Sequence, residues 1–192
     1  MSRGDTAILL SDFHSHAWPR FSAILPDGTN SRLADLFHVL DQVLTWARQH
    51  RPRYVFVLGD VFHHKYYVPF IVYNRAMAYF IAWDRQLRAT CGVEDVIFIP
   101  GNHDLGHVGV HALEPFAHAG VTVIDRPELR MLDGFGGCLF VPFTLDAGLP
   151  AAMREAVETL THEQLLQYQQ ILCDLVGGAH YAIDAKAPKR AE

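Results

Sequence analysis

Three short, wholly apolar runs in this chain each end in residues that bind cations, and that recurrence constrains the fold more than any other feature. Ala7 to Leu10 leads into Asp12-Phe-His14, Tyr54 to Leu58 into Gly59-Asp-Val-Phe-His63, and Val96 to Pro100 into Gly101-Asn-His-Asp104. An apolar run of this length without alternation reads as a strand buried on both faces. Helical patterns separate the runs. Leu33, Leu36, Phe37, Leu40, Val43, Leu44 and Ala47 recur at helical spacing after the capping pair Asn30-Ser31, and Pro52 closes the segment, which predicts an amphipathic helix over 32–50. A second, longer helix is expected over roughly 69–90, stopping near Gly92. Strands joined by such helices imply crossover connections and a largely parallel sheet, whose ligand sites lie beyond the carboxyl ends of the strands.

Past the third run, the pattern predicts a helix around 108–119 and further strands at 121–124, 129–132 and 138–141, which are candidates for a second sheet. Helices are expected at 150–160 and 162–172. Residues 1–184 read as one domain and 185–192 as a polar tail.

Composition narrows the class of protein. Of 192 residues, 50% are hydrophobic and 19% charged, enough for a substantial core and against disorder. A net charge of −5 gives no general attraction to nucleic acid, so a polyanionic substrate has to be held by local groups or by bound cations. Cys91, Cys138 and Cys173 are odd in number and widely spaced in apolar surroundings, which predicts buried thiols and a reducing, cytoplasmic setting. The most apolar stretch, Tyr66 to Trp83, is interrupted by Pro69, Asn74 and Arg75, so no membrane span is expected.

Carboxylates, an amide oxygen and imidazoles at the three strand ends suit a hard or borderline divalent cation, and the absence of cysteine among them disfavours a structural zinc site. A carboxylate such as Asp60 can bridge two cations about 3.5–4 Å apart, an arrangement that activates water against a phosphate ester. Gly59 and Gly101 allow tight turns in which the backbone closely approaches ligand or metal.

The order Asp-x-His, Gly-Asp, Gly-Asn-His-Asp resembles the calcineurin-like metallophosphoesterases. The resemblance implies an α/β fold, a four-layer αββα sandwich, with two divalent metal ions, Mn2+ being the expected species. It implies Asp12 and His14 as ligands of the first metal, Asp60 as the bridging ligand and Asn102 as a ligand of the second. It also implies His103 as the catalytic histidine at the scissile phosphate and Asp104 as the residue that orients it through a hydrogen bond. The Asp60-Val-Phe-His63 form of the second motif is similar to SbcD-like double-strand-break-repair nucleases, which implies a role for His63 at the phosphate, DNA as substrate, pairing of two copies through the aromatic helix 66–89, and an ATPase partner.

The family completes its metal spheres with a downstream histidine and a Gly-His-x-His pair. His180 stands about where the first is expected, and no Gly-His-x-His follows it, so the sequence reads as a C-terminally incomplete domain. A small-molecule or protein phosphoesterase of the same fold, and a non-catalytic binding or assembly protein, remain as alternatives.

The other histidines carry plainer expectations. His38, His50 and His162 are expected to be solvated or capping. His16 and His64 lie beside ligand loops, with surface placement and substrate or outer-shell contact both open. His107 and His111, four apart on the helix expected after the third motif, have a spacing that could hold a metal but, without a third ligand, are expected to have a pocket-rim role or none. Among the cations, Arg51, Arg53 and Arg75 are expected at the surface, and only Arg20 and Lys65 fall near motif loops. One face of the aromatic helix should be core, with a dimer interface as the alternative for its remaining faces.

Overall fold

The computed structural model describes residues 6–107 and 109–143. Strands β1 (Ala7–Leu10), β2 (Tyr54–Leu58), β3 (Asp95–Ile99) and β6 (Thr122–Val123) form one parallel sheet in the order β1-β2-β3-β6. Helices α1 (Ser31–His50) and α2 (Phe70–Gln86) make the crossovers, and α2 runs on into a π turn at Leu87–Cys91. The remaining elements are a small hairpin, β4 (Leu105–His107) with β5 (Val110–His111), the short helix α3 (Glu114–His118), and an antiparallel hairpin, β7 (Glu128–Leu132) with β8 (Gly136–Phe140).

Strands β2 and β3 are buried on both faces up to Leu58, as their composition requires, whereas β1, expected to be buried, lies at the sheet edge with Leu9 52% exposed. Val55, Val57, Val96 and Phe98 point into a core with Leu40, Leu44, Phe80 and Trp83 of the two helices. Tyr54, Phe56, Ile97 and Ile99, the alternate residues, pack against Leu132, Cys138 and Phe140 of the β7–β8 hairpin. The described layers are therefore helix, parallel sheet and second sheet, the mixed α/β arrangement expected from the sequence. Burying one aromatic such as Phe80, 0% exposed, contributes on the order of 1.5–3 kcal/mol.

Local chemistry sets the helix limits. The Asn30 side chain accepts hydrogen bonds from the N–H groups of Arg32 and Leu33, capping α1, and Arg51 ends the helix in a left-handed conformation with its N–H on the Ala47 carbonyl. The Trp83 indole N–H donates to the Leu40 carbonyl at 2.9 Å, locking α2 to α1.

Two expectations need correction. The segment expected to be helical over 108–119 is a β-hairpin followed by only a short helix, because Gly109 adopts φ +73° and turns the chain back on itself. The run at 121–124 was a candidate for the second sheet, but β6 joins the main sheet beside β3, fixed by the Thr122 hydroxyl donating to Asp95 at 2.7 Å.

Cys91 and Cys138 are free and buried as expected, while Cys173 lies outside the described residues, as do the helices expected at 150–172, the tail and His162. His38 is exposed near Asp41, and His50 stacks on Trp46 at the end of α1. Arg51, Arg53 and Arg75 are tied to Thr90, Glu94 and Asp27. Among the described residues no helix is long and apolar enough to cross a membrane.

Candidate metal centre

The loops that leave β1 and β2 stay paired after the sheet ends. Asp12 N–H donates to the Gly59 carbonyl at 3.2 Å, His14 N–H to Asp60 at 2.8 Å and Ser15 N–H to Val61 at 2.8 Å. Within this ladder Asp12, His14 and Asp60 take φ values of 58°, 47° and 54°, a left-handed backbone that costs side-chain-bearing residues free energy and that clusters at functional sites. The strain turns the three side chains toward one another.

The third loop is pressed against the second. A Cβ on Gly59 would lie 2.6 Å from the Cα of Gly101, and one on Gly101 would lie 2.3 Å from Asp60 Oδ1. No side chain fits at either position, which is why both motifs carry glycine. His103 N–H then donates to Asp60 Oδ1 at 2.9 Å, so the backbone of the third loop fixes the carboxylate of the second.

Asp104 performs a different task from the one the resemblance implies. Its carboxylate, 1% exposed, accepts from the N–H groups of Gly101 at 3.0 Å, Phe62 at 3.0 Å and Val61 at 3.3 Å. The His103 ring is held instead by the His63 carbonyl, 2.5 Å from Nδ1. Asp104 thus staples two loops together and positions His103 through the backbone. Burial pushes its carboxyl above the ordinary range, opposed by the three N–H groups.

These contacts bring together two groups of ligand atoms, each within 4.8 Å of one another: Asp12, His14 and Asp60, and His14, His63 and His103. His14 belongs to both. Asp60 lies at the floor with its side chain 15% exposed, and Asp12 at the mouth, 67% exposed. Asn102 sits half-buried on the turn between Gly101 and His103. His180 lies outside the described residues.

The donors present fit a divalent cation. Among the described residues the two carboxylates form no ion pair with lysine or arginine; they meet His14 at 3.8 and 3.9 Å and, at Asp60, the His103 N–H, which leaves their charge uncompensated by a permanent cation. The Nδ1 atoms of His14 and His63 are buried without a hydrogen-bond partner. Oxygen and imidazole donors with no thiolate select a hard or borderline ion.

Beside this cluster, His16, Trp18, His63 and His64 pack ring against ring with centroids 4.6–5.0 Å apart. They form one wall of a cleft of about 610 Å³ that also meets Arg20, Phe21 and Arg32. Trp18, Phe21 and Arg32 were not legible as site residues. The one available signal was the length of the segment 17–30, which has little regular structure for a loop inside a compact domain. His107 and His111 sit on facing strands, not on one helix face, and His111 is instead buried against Asp125.

Burial, and then the charge of neighbouring histidines, lowers the proton affinity of His63 and His16. In the metal-free protein this favours the neutral rings, so their contribution to stability is present above the unfolded value of 6.5 and is lost as pH falls toward their depressed folded values. Thermal unfolding in chelator should show the melting temperature falling from neutral pH to about pH 5, with a shallower fall in His16→Gln. A flat profile would contradict that account.

No curated protein matches the chain in sequence. The family profile described as Calcineurin-like phosphoesterase matches residues 6–167, a span that includes all three ligand loops, and the chain therefore belongs to the calcineurin-like phosphoesterases, metal-dependent hydrolases of phosphoric esters.

Proposed function

We propose that the chain is a phosphodiesterase of the nuclease type acting on DNA, belonging to the SbcD-like branch and using two divalent ions, Mn2+ by preference. The observation that carries this reading is the pair of groups sharing His14, one with the carboxylates of Asp12 and Asp60 and the other with the His63 and His103 rings, which lie 5.5 and 4.7 Å from the His14 ring. Asp12, His14, Asp60 and Asn102 hold the ions, His180 being a further candidate, and the bound ions supply Lewis acidity and an activated water.

The protein's own groups do the rest. His63 and His103 face the phosphate, where their N–H groups stabilise charge that develops as the diester is attacked, and His103 assists the departing oxygen. Asp104 keeps the loop backbone in place through its three N–H partners. Self-association and an ATPase partner remain parts of this proposal. Tyr66 and Tyr67, just before α2, and Phe70, its first residue, are 76%, 64% and 87% exposed and form the apolar surface that supports pairing.

The test is hydrolysis with manganese, using single-stranded DNA, duplex DNA and bis-nitrophenyl phosphate alongside the nitrophenyl monoester. Cleavage of DNA and of the diester in preference to the monoester is the expected result. A preference for the monoester, with DNA untouched, would turn the assignment toward a small-molecule or protein phosphatase.

A further inference from the structure

We infer that the cleft next to the metal cluster is a nucleobase subsite, in which Trp18 and Phe21 take one unstacked base while Arg20 and Arg32 hold the adjoining phosphate. The inference rests on the phosphodiester reading above and specifies its substrate: a single strand or a frayed end, whose bases are free to leave the stack.

Continuity with the metal cluster is the first argument. His63 belongs to the ligand group with His14 and His103 and also lines the cleft, with its ring 4.6 Å from that of Trp18. A chain held at the metals would run directly into this cleft. Its volume of about 610 Å³ suits a ligand the size of one nucleotide.

The second argument is the cost of presenting Phe21. This residue sits at φ 57° with 93% of its surface exposed. An aromatic side chain there carries the backbone strain of a left-handed conformation, and no burial within the described chain offsets it. The surrounding loop is nevertheless rigidly built. The Trp18 carbonyl accepts from the Ser22 hydroxyl at 2.6 Å and from the Asn30 side chain at 3.1 Å, and Asn30 is the residue that caps α1. Ser31 closes the loop by accepting from Ala23 N–H at 3.1 Å. An exposed aromatic held in a strained conformation by a fixed frame is arranged for a partner ring.

Charge is the third. In a chain of net charge −5, Arg20 has no carboxylate partner among the described residues, and Arg32 has only Asp35 at 3.7 Å, one turn along its own exposed helix face. Two guanidiniums lining a cleft with two aromatic rings match a phosphate joined to a base. Duplex DNA buries the faces of its bases, which leaves only edges to read, so stacking of this kind selects an unpaired base.

Binding in chelator tests this without cleavage. The full chain is titrated into a fluorescent oligothymidylate and into an oligomer of the same length made of abasic deoxyribose phosphates, followed by anisotropy. The wild type should favour the thymidylate by about 5- to 150-fold, the range expected for one stacked base. Trp18→Ala and Phe21→Gly should bring the two affinities together, whereas Arg20→Gln should weaken both alike and flatten the salt dependence. Phe21→Gly guards against misfolding, because glycine relieves the left-handed strain and should raise the melting temperature while binding falls. Equal affinity of the wild type for both oligomers, absence of binding, or an unchanged ratio in both aromatic variants would overturn the inference. Hydrolysis of bis-nitrophenyl phosphate by the wild type is scored separately. Activity there without base discrimination removes only the subsite, and discrimination without hydrolysis removes only the enzyme.

Discussion

Asp60→Asn is expected to fold as the wild type does and to lose metal-dependent phosphoester hydrolysis by about 10³-fold or more. The substitution is chosen because it separates charge from scaffold. Asp60 Oδ1 accepts from His103 N–H at 2.9 Å, and an asparagine oxygen can accept the same bond. The residue also sits at φ 54°, a conformation asparagine tolerates better than most side chains. What disappears is the inner negative charge, next to His14 at 3.9 Å and in the ligand group with Asp12. Calorimetry should show manganese affinity falling by at least the ~10–100-fold that loss of a supporting partner costs in metal sites. Melting temperature in chelator should stay within a few degrees of the wild type. Undiminished manganese uptake by this variant would remove Asp60 from the metal centre.

Gly101→Ala is expected to damage both the fold and the site. The added carbon would stand 2.3 Å from Asp60 Oδ1, 2.4 Å from Asp60 N and 2.9 Å from the Cα of Gly59. Two of those atoms are backbone, so no change of rotamer relieves the clash, and the loops after β2 and β3 must separate. Overpacking against side chains costs about 1–3 kcal/mol. Against backbone we expect at least the upper end, a fall in melting temperature of roughly 6–12 °C for a chain of this size. Moving Asp60 also removes metal binding. Gly120→Ala is the control, since it has nothing within 4 Å but sits at φ +89°. It should cost about 1–2 kcal/mol of strain and leave manganese affinity unchanged. If Gly101→Ala binds manganese as tightly as this control, the close approach of the two loops is not what sets the site.

Much of the scaffold was legible because its signals are local. Asn30 caps α1 within three residues of itself, the apolar runs at 54–58 and 96–99 carry their own burial, and Gly-Asp and Gly-Asn-His-Asp name the loops that converge. Failures came where a local pattern was ambiguous or irrelevant. Apolar spacing after Val108 suggested a helix, but the backbone freedom of Gly109 decided for a hairpin. The part played by Asp104 depends on N–H groups of Val61 and Phe62, 43 and 42 positions away in the chain, which no neighbouring residue announces. The cleft was hidden for the same reason. Trp18 and Phe21 have no periodicity, and they acquire meaning only when the fold lays them beside His63 and His64.

The register of the parallel sheet acts as a ruler for the whole site. Leu10 pairs with Val57 and Leu58 with Ile99, so the chain reaches each ligand loop at a fixed height above the sheet. Deleting one residue within β2 would shorten it by about 3.3 Å and exchange its two faces, sending Tyr54 and Phe56 toward the helices. Strand length is therefore not a free variable for redesign, whereas the segment 17–30 enters and leaves without touching that scale. Variants that retune what the protein grips should be sought as insertions and substitutions in that one loop, with the spacing between Leu10, Leu58 and Ile99 left alone.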